Sequence, residues 1–272
     1  MKTTVNTNKN NVLGFFAALF IGFLSLQGCS SSGGGTPSEN ANGLFTGTGS
    51  VNNGTTLTDI RGFVNDNAFI FFDETEAVLY QGTITSVSGS SLTATLDVYL
   101  NGAKITASSV SATGTVTGES SLALDMTGTG FASGSLTLLF DPLYNRGATM
   151  ARLAADSFAR WVGSAHTPTS TDIHIVRILS EDDEAIFAFR GDTGTPSNCR
   201  YEGVKSIPDA EKNIYLITSI DITDPGTNNC DHIGTGYTGF FAVVDGTSTD
   251  DTVLFAATNG TNSNFSIMTK PL

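Results

Sequence analysis

The chain has 272 residues, 13 Lys and Arg against 26 Asp and Glu, and a formal charge of −13. Gly, Ser, Thr and Asn supply 114 residues, about 42% of the chain. That balance excludes a nucleic-acid binder, which needs a basic footprint, and a helical bundle, which needs Ala, Glu, Lys and Leu. With 39% hydrophobic residues and 18 Phe, there is enough apolar mass for packed cores, so disorder is excluded as well.

Met1 to Asn11 is polar and carries Lys2 and Lys9 without an acid. Val12 to Leu26 is then an apolar run of 15 residues, the length of a signal-peptide core and short of the ~20 residues that span a bilayer as a helix. It ends in Leu26-Gln27-Gly28-Cys29, followed by Ser30-Ser31-Ser32. Leu-x-Gly-Cys at this place resembles the lipobox of bacterial lipoproteins. The resemblance implies cleavage before Cys29, a diacylglycerol thioether on Cys29 and an acylated (palmitate-type) amino terminus. Two or more acyl chains anchor stably where one does not. Ser rather than Asp after the Cys resembles enteric lipoproteins sent on to the outer membrane. Residues 30–43 contain no apolar residue except Ala41 and read as a flexible tether. Without residues 1–28 the charge deepens to −15.

From Leu44 on, short alternating runs are separated by Gly, Asn, Asp and Ser clusters. In Ser91 to Leu100, Leu92, Ala94, Leu96, Val98 and Leu100 share one face, while Thr93, Thr95, Asp97 and Tyr99 take the other. That is the period of a strand buried on one side. The pattern predicts a meander that closes into a barrel or sandwich. It breaks at Asp141-Pro142, and Ala148 to Trp161 has helical spacing at Met150, Leu153, Ala154, Phe158 and Trp161. Strands then resume to the end. The expected fold is all-β: two antiparallel barrel- or sandwich-like domains joined by a short helical segment. The expected division is a signal peptide over 1–28 and the lipidated Cys with its tether over 29–43. An N-terminal β domain follows over 44–145, then a helical linker over 146–162 and a C-terminal β domain over 163–272. The two β segments look like a weak repeat: Phe45-Thr46-Gly47 aligns with Trp161-Val162-Gly163, Ala68 to Phe71 with Ala185 to Ala188, and Tyr80 to Thr83 with Tyr201 to Val204.

A family resemblance rests on Tyr144-Asn145-Arg146, Trp161, Cys199-x-Tyr201-x-Gly203, Ile207-Pro208-Asp209, Asn213-x-Tyr215, Cys230, Gly236-x-x-Gly239 and Thr258-Asn259-Gly260. Together these resemble a family of Gram-negative outer-membrane lipoproteins with two tandem small β domains. The resemblance implies that architecture and no activity. Where such proteins carry a Pro after the junction Arg, Gly147 stands here. The Gly/Thr-rich texture around Gly114 to Thr117 is also similar to transferrin-binding-type β-barrel surface lipoproteins.

With Cys29 assigned to lipid, Cys199 and Cys230 remain. Outside the inner membrane an even remainder points to a disulfide. The loop of 31 residues would contribute about 3–4 kcal/mol. A metal site using His232 lacks tetrahedral zinc spacing. His166 and His232 lie in turn-like sequence, and His174 falls in a strand. No nucleophile elbow, His-Glu-x-x-His or Walker A pattern occurs, so no enzyme and no cofactor is expected. Acidic clusters occur at Asp73-Glu74-x-Glu76, at Glu181 to Glu184 and at Asp245 to Asp251. Asp245, Asp250 and Asp251 are the better calcium candidates. The adjacent Phe71 and Phe72, and Phe240 and Phe241, must point to opposite faces. One of each pair therefore needs a second buried surface: an inter-domain contact, a ligand cavity or a partner. The leading expectation is a lipid-anchored outer-membrane binding or surface-interaction module, facing the periplasm or the cell surface, with a protein partner. Alternatives are a lipocalin-like carrier of a small hydrophobic molecule and, more remotely, an envelope hydrolase.

Overall fold

The computed structural model describes residues 39–51, 54–107, 109–129, 131–154, 161–166, 171–176, 184–188, 199–224, 226 and 233–270. The signal peptide, Cys29, Cys230, His232 and Glu181 to Asp183 lie outside the described residues.

The first nine strands are β1 (Gly43–Val51), β2 (Thr55–Asn65), β3 (Ala68–Asp73), β4 (Val78–Ser88), β5 (Ser91–Leu100), β6 (Ala103–Lys104), β7 (Val110–Thr117), β8 (Ser121–Gly128) and β9 (Phe131–Asp141). Neighbours pair antiparallel; β4 pairs β5 and β1 pairs β9, so eight strands close into a barrel, with β6 added as a short hairpin arm on β5. The alternation read in the sequence is what closes it. Leu92, Ala94, Leu96 and Val98 point inward from β5, and Thr93 and Thr95 face out. Asp66 and Asn67 both have positive φ, 47° and 72°, as the two-residue turn between β2 and β3 requires. Phe45, Phe69, Phe71, Tyr80, Leu124 and Leu138 meet in the interior, which side chains fill, as expected of a barrel of this strand number.

After β9 the chain makes a 3₁₀ turn over Pro142–Arg146 and a single short helix, α1 (Met150–Ala154). The helical spacing that runs on to Trp161 has a different cause. Trp161 opens a strand, and Leu153 and Trp161 share a core because the indole Nε1 donates to the Leu153 carbonyl at 3.0 Å. Phe158, the stripe's remaining large apolar residue, lies outside the described residues.

The remaining strands are β10 (Trp161–His166), β11 (Thr171–Val176), β12 (Glu184–Ala188), β13 (Arg200–Ser206), β14 (Tyr215–Thr223), β15 (Gly234–Val244), β16 (Thr252–Thr258) and β17 (Ser263–Thr269). They form an antiparallel sheet in the order β11-β10-β17-β16-β15-β14-β13-β12. The aligned repeat segments fall on corresponding strands: β1 with β10, β3 with β12 and β4 with β13. β17 returns to pair β10 just as β9 returns to pair β1. Tyr201 on β13 bonds Asn264 on β17 at 2.7 Å, so the sheet rolls until its distant strands face each other.

Barrel and sheet share a third core. Leu44, Phe63, Ile70, Phe72, Leu79 and Tyr99 on the barrel's outer wall pack against Tyr144, Ile214, Phe240, Ala242, Leu254 and Phe265. This resolves the adjacent aromatics. Phe71 fills the barrel and Phe72 the seam; Phe241 fills the roll and Phe240 the seam. Each Phe so buried contributes about 1.5–3 kcal/mol. Tyr99, expected on a solvent face, is fully buried in the seam.

Candidate functional site

The seam is stitched by polar contacts as well as apolar ones. Lys104 N donates to Thr261 O at 3.0 Å and Ser263 N to Gly102 O at 2.7 Å, joining the barrel's β5–β6 hairpin to the β16–β17 hairpin. Gln81 accepts from the Tyr99 hydroxyl at 3.4 Å and from the Thr258 hydroxyl. The Ile267 amide donates to Glu74 Oε1 at 3.0 Å. Burial raises the Glu74 pKa above its ordinary value, against that bond. Asp73 is fully buried and accepts from the amides of Thr58, Asp59 and Glu76 at 3.0–3.1 Å. The first acidic cluster is therefore structural.

His166 also lies in the seam. Its ring stacks on Phe265 at 5.1 Å, and neither ring nitrogen has a hydrogen-bond partner. Burial lowers its pKa, with nearby Asp73 opposing. His174 takes its place on β11 opposite Gly163. Cys199 is buried at the foot of β13 in the core of the roll.

At one end of the seam the junction motif forms a clamp. Asn145 Nδ2 donates to Glu119 at 3.3 Å, and Lys212 donates to Asn145 Oδ1 at 2.7 Å with its ammonium 5.0 Å from the centre of the Tyr144 ring. Arg146 pairs with Asp245 at 2.6 Å and with Asp250 at 2.9 Å, and donates to Val243 O at 3.1 Å. Arg152 pairs with Asp250 at 2.6 Å. The Arg146 guanidinium holds the Asp245 carboxyl below the ordinary range. Asn213, fully buried, meets both backbone groups of Val243, and Tyr215 brackets the backbone of Thr149.

The calcium candidates are thus placed in a different chemistry. Asp245 and Asp250 face arginines, and Asp251 accepts from Ser248 N at 2.6 Å and from the Thr247 and Thr252 hydroxyls. These carboxylates close the β15–β16 loop and tie it to the junction. Among the described residues no three of His, Cys, Asp and Glu gather as a metal-holding group. The sequence signal for the clamp was present in Tyr144-Asn145-Arg146 and Asn213-x-Tyr215, which sequence reasoning read only as turn and strand residues.

Beside the seam runs a cleft of about 510 Å³. One wall comes from β3, β4 and β5, with Gln81, Thr83, Thr95 and Asp97; the other comes from β14 and β15, with Leu216, Thr218, Thr238 and Phe240. Asp97 is neutralised by Lys104 at 2.8 Å and bonded by Ser109 at 3.3 Å. The cleft therefore has an apolar floor, a rim of hydroxyl and amide groups, and no uncompensated charge among its described residues. Sequence reasoning missed it, because it forms only where the outer walls of two sheets diverge.

No protein-family model and no curated protein matches the chain. Among solved structures, isotype 1 transferrin binding protein B from serogroup B Neisseria meningitidis aligns at 8% identity and a TM-score of 0.30, over 80% of this chain. The chain spans 59% of that protein's length.

Proposed function

We propose that the protein is a lipid-anchored outer-membrane lipoprotein whose folded body is a non-enzymatic binding module. The lipobox-like Leu26-Gln27-Gly28-Cys29 and the polar tether support the anchor. The cleft beside the seam carries the binding reading, because pockets of this size with an apolar floor and a few polar groups are the usual form of a recognition site. The first barrel, filled by its own side chains, favours a partner held at the outer surface over a hydrophobic molecule carried in that barrel. A Cys199–Cys230 disulfide fits an oxidising envelope compartment.

The test has two arms. Palmitate labelling is expected in the full chain and lost in Cys29→Ala; equal labelling overturns the anchor. Protease shaving of intact cells, followed by cross-linking, then addresses the cleft. Thr83→Trp, which fills it, is expected to lose an envelope partner that Thr137→Trp, on the exposed barrel wall, retains. Equal cross-linking in both variants overturns the cleft.

A further inference from the structure

We infer that the pocket at the junction end of the seam binds a guanidinium group, carried by a free small molecule or by an arginine side chain of a partner protein. This goes beyond the partner reading and needs neither the anchor nor the cleft. The first observation is the cavity and its charge. It has a volume of about 360 Å³, and its charged lining is Asp66, Glu119, Asp209 and Lys212. Three carboxylates against one ammonium leave it two charges negative. The acids come from three separate turns: Asp66 between β2 and β3, Glu119 in the 3₁₀ turn Gly118–Ser120, and Asp209 between β13 and β14. Arg146 and Arg152 pair with Asp245 and Asp250 instead, and none of the three pocket acids forms an ion pair with a described residue. One oxygen of each accepts within the chain, from Asn65 Nδ2 at 3.4 Å, Asn145 Nδ2 at 3.3 Å and the Glu211 amide at 2.8 Å. The other oxygen of each accepts from no described residue.

The second observation is a hydroxyl. Tyr144 is only 5% exposed, and it lines this pocket. Its ring packs edge-on against Phe140 and lies under the Lys212 ammonium, yet its hydroxyl has no hydrogen-bond partner among the described residues. Burial, and then the charges of Asp209, Asp66 and Glu119, raise its pKa, so the hydroxyl faces the same three acids and stays neutral. A buried polar side chain left so is uncommon and calls for an explanation. Carboxylate oxygens only accept and the phenol oxygen can accept, so the ligand must bring donors and positive charge. Among the described residues no three acids gather closely enough to hold a metal ion, so the donors must be spread over a larger group. A guanidinium spreads five N–H donors in one plane and is weakly hydrated for a cation. Its bonds to carboxylates are roughly twice as strong as neutral ones. Lys212, the resident cation, bonds Asn145 Oδ1 at 2.7 Å and leaves the three carboxylates to the ligand.

The full chain in detergent is titrated by calorimetry at low salt with agmatine, with a capped pentapeptide bearing a central arginine, and with the same peptide bearing citrulline. Saturable binding of agmatine or of the arginine peptide is expected, and the citrulline peptide, which keeps the shape and lacks the charge, is expected not to bind. Agmatine binding as tightly as the arginine peptide assigns the site to a free guanidino compound; tighter binding of the peptide assigns it to an arginine of a partner protein. Asp209→Asn and Tyr144→Phe are each expected to weaken the affinity about tenfold. Asp125→Asn removes the same charge from the exposed barrel wall and is expected to leave it unchanged. The inference is overturned if neither guanidinium probe binds saturably or if the citrulline peptide binds equally well. It is also overturned if Asp125→Asn weakens binding as much as Asp209→Asn, since the attraction is then that of the acidic surface as a whole. Binding left unchanged by whichever of Asp209→Asn and Tyr144→Phe folds overturns it too.

Discussion

Inside the first barrel Phe69 and Phe71 stack at 5.4 Å among Leu, Val and Ala side chains, whereas the inner face of the second sheet sets Tyr201, Lys205, Asn264 and Ser266 among its aromatics. The strand order of the two is the same and the chemistry inside is not. An apolar interior is stabilised by contact area alone, which rewards complete filling. An interior with polar atoms needs each of them paired, so it keeps its shape only with partners in place. The difference teaches that one topology encloses here an apolar post and a second core that admits polar side chains.

That contrast is breakable, and the largest effect lies in the post. Phe71→Ala is expected to cost about 3–5 kcal/mol in urea unfolding, since the closed barrel cannot collapse around the void. A loss below about 1 kcal/mol would show the barrel to be loosely filled. Next comes the proposed Cys199–Cys230 bridge, whose removal by Cys199→Ser is expected to cost about 3 kcal/mol. Peptide mass spectrometry without reduction checks it, and free thiols at both positions remove the idea.

The seam comes third. Arg146→Ala loses two ion pairs and the bond to Val243 O, with the guanidinium 24% exposed. About 1 kcal/mol is expected after allowance for screening, and high salt is expected to shrink it. Two groups in the seam, buried His166 and half-buried Glu74, set its pH response with opposite signs. The His166 pKa is lowered on folding, so its contribution is present above the ordinary value of 6.5 and lost as pH falls toward the depressed one. The Glu74 pKa is raised on folding, so its contribution is present below 4.5 and lost as pH rises through the raised value. His166→Phe is expected to flatten the acid-side loss below pH 6.5 and Glu74→Gln the loss above 4.5, both read as urea midpoints against pH. The smallest effect belongs to the second core. Ser266→Ala removes an unpartnered hydroxyl and is expected to change stability by about 0.5 kcal/mol or less, where Phe71→Ala costs several times more.

Much of the fold was readable in advance because a strand with one buried side writes its period directly into the sequence. Ser91 to Leu100 did so for every inward residue, and the repeat anchored at Phe45, Tyr80, Trp161 and Tyr201 marked corresponding strands before any were placed. The site was less readable. Asp245, Asp250 and Asp251 looked like an oxygen-rich calcium loop, but Asp245 and Asp250 pair with Arg146 and Arg152, about a hundred residues away in the chain. Tyr99 read as solvent-facing because nothing local announces that a second sheet will cover it. The same holds for Glu74, whose bonding partner is the Ile267 amide, 193 residues distant.

By itself the sequence determined a lipobox-like motif, an acidic all-β body and a twofold pattern of strands, since each rests on local composition or a short period. Tertiary structure alone decided that the two sheets share a core, that Phe72 and Phe240 meet in it, that the acidic loop closes on arginines, and that one interior is apolar while the other carries unpaired polar atoms. The physical reason is range: alternation acts between neighbours two residues apart, while burial and pairing depend on which distant surfaces come together.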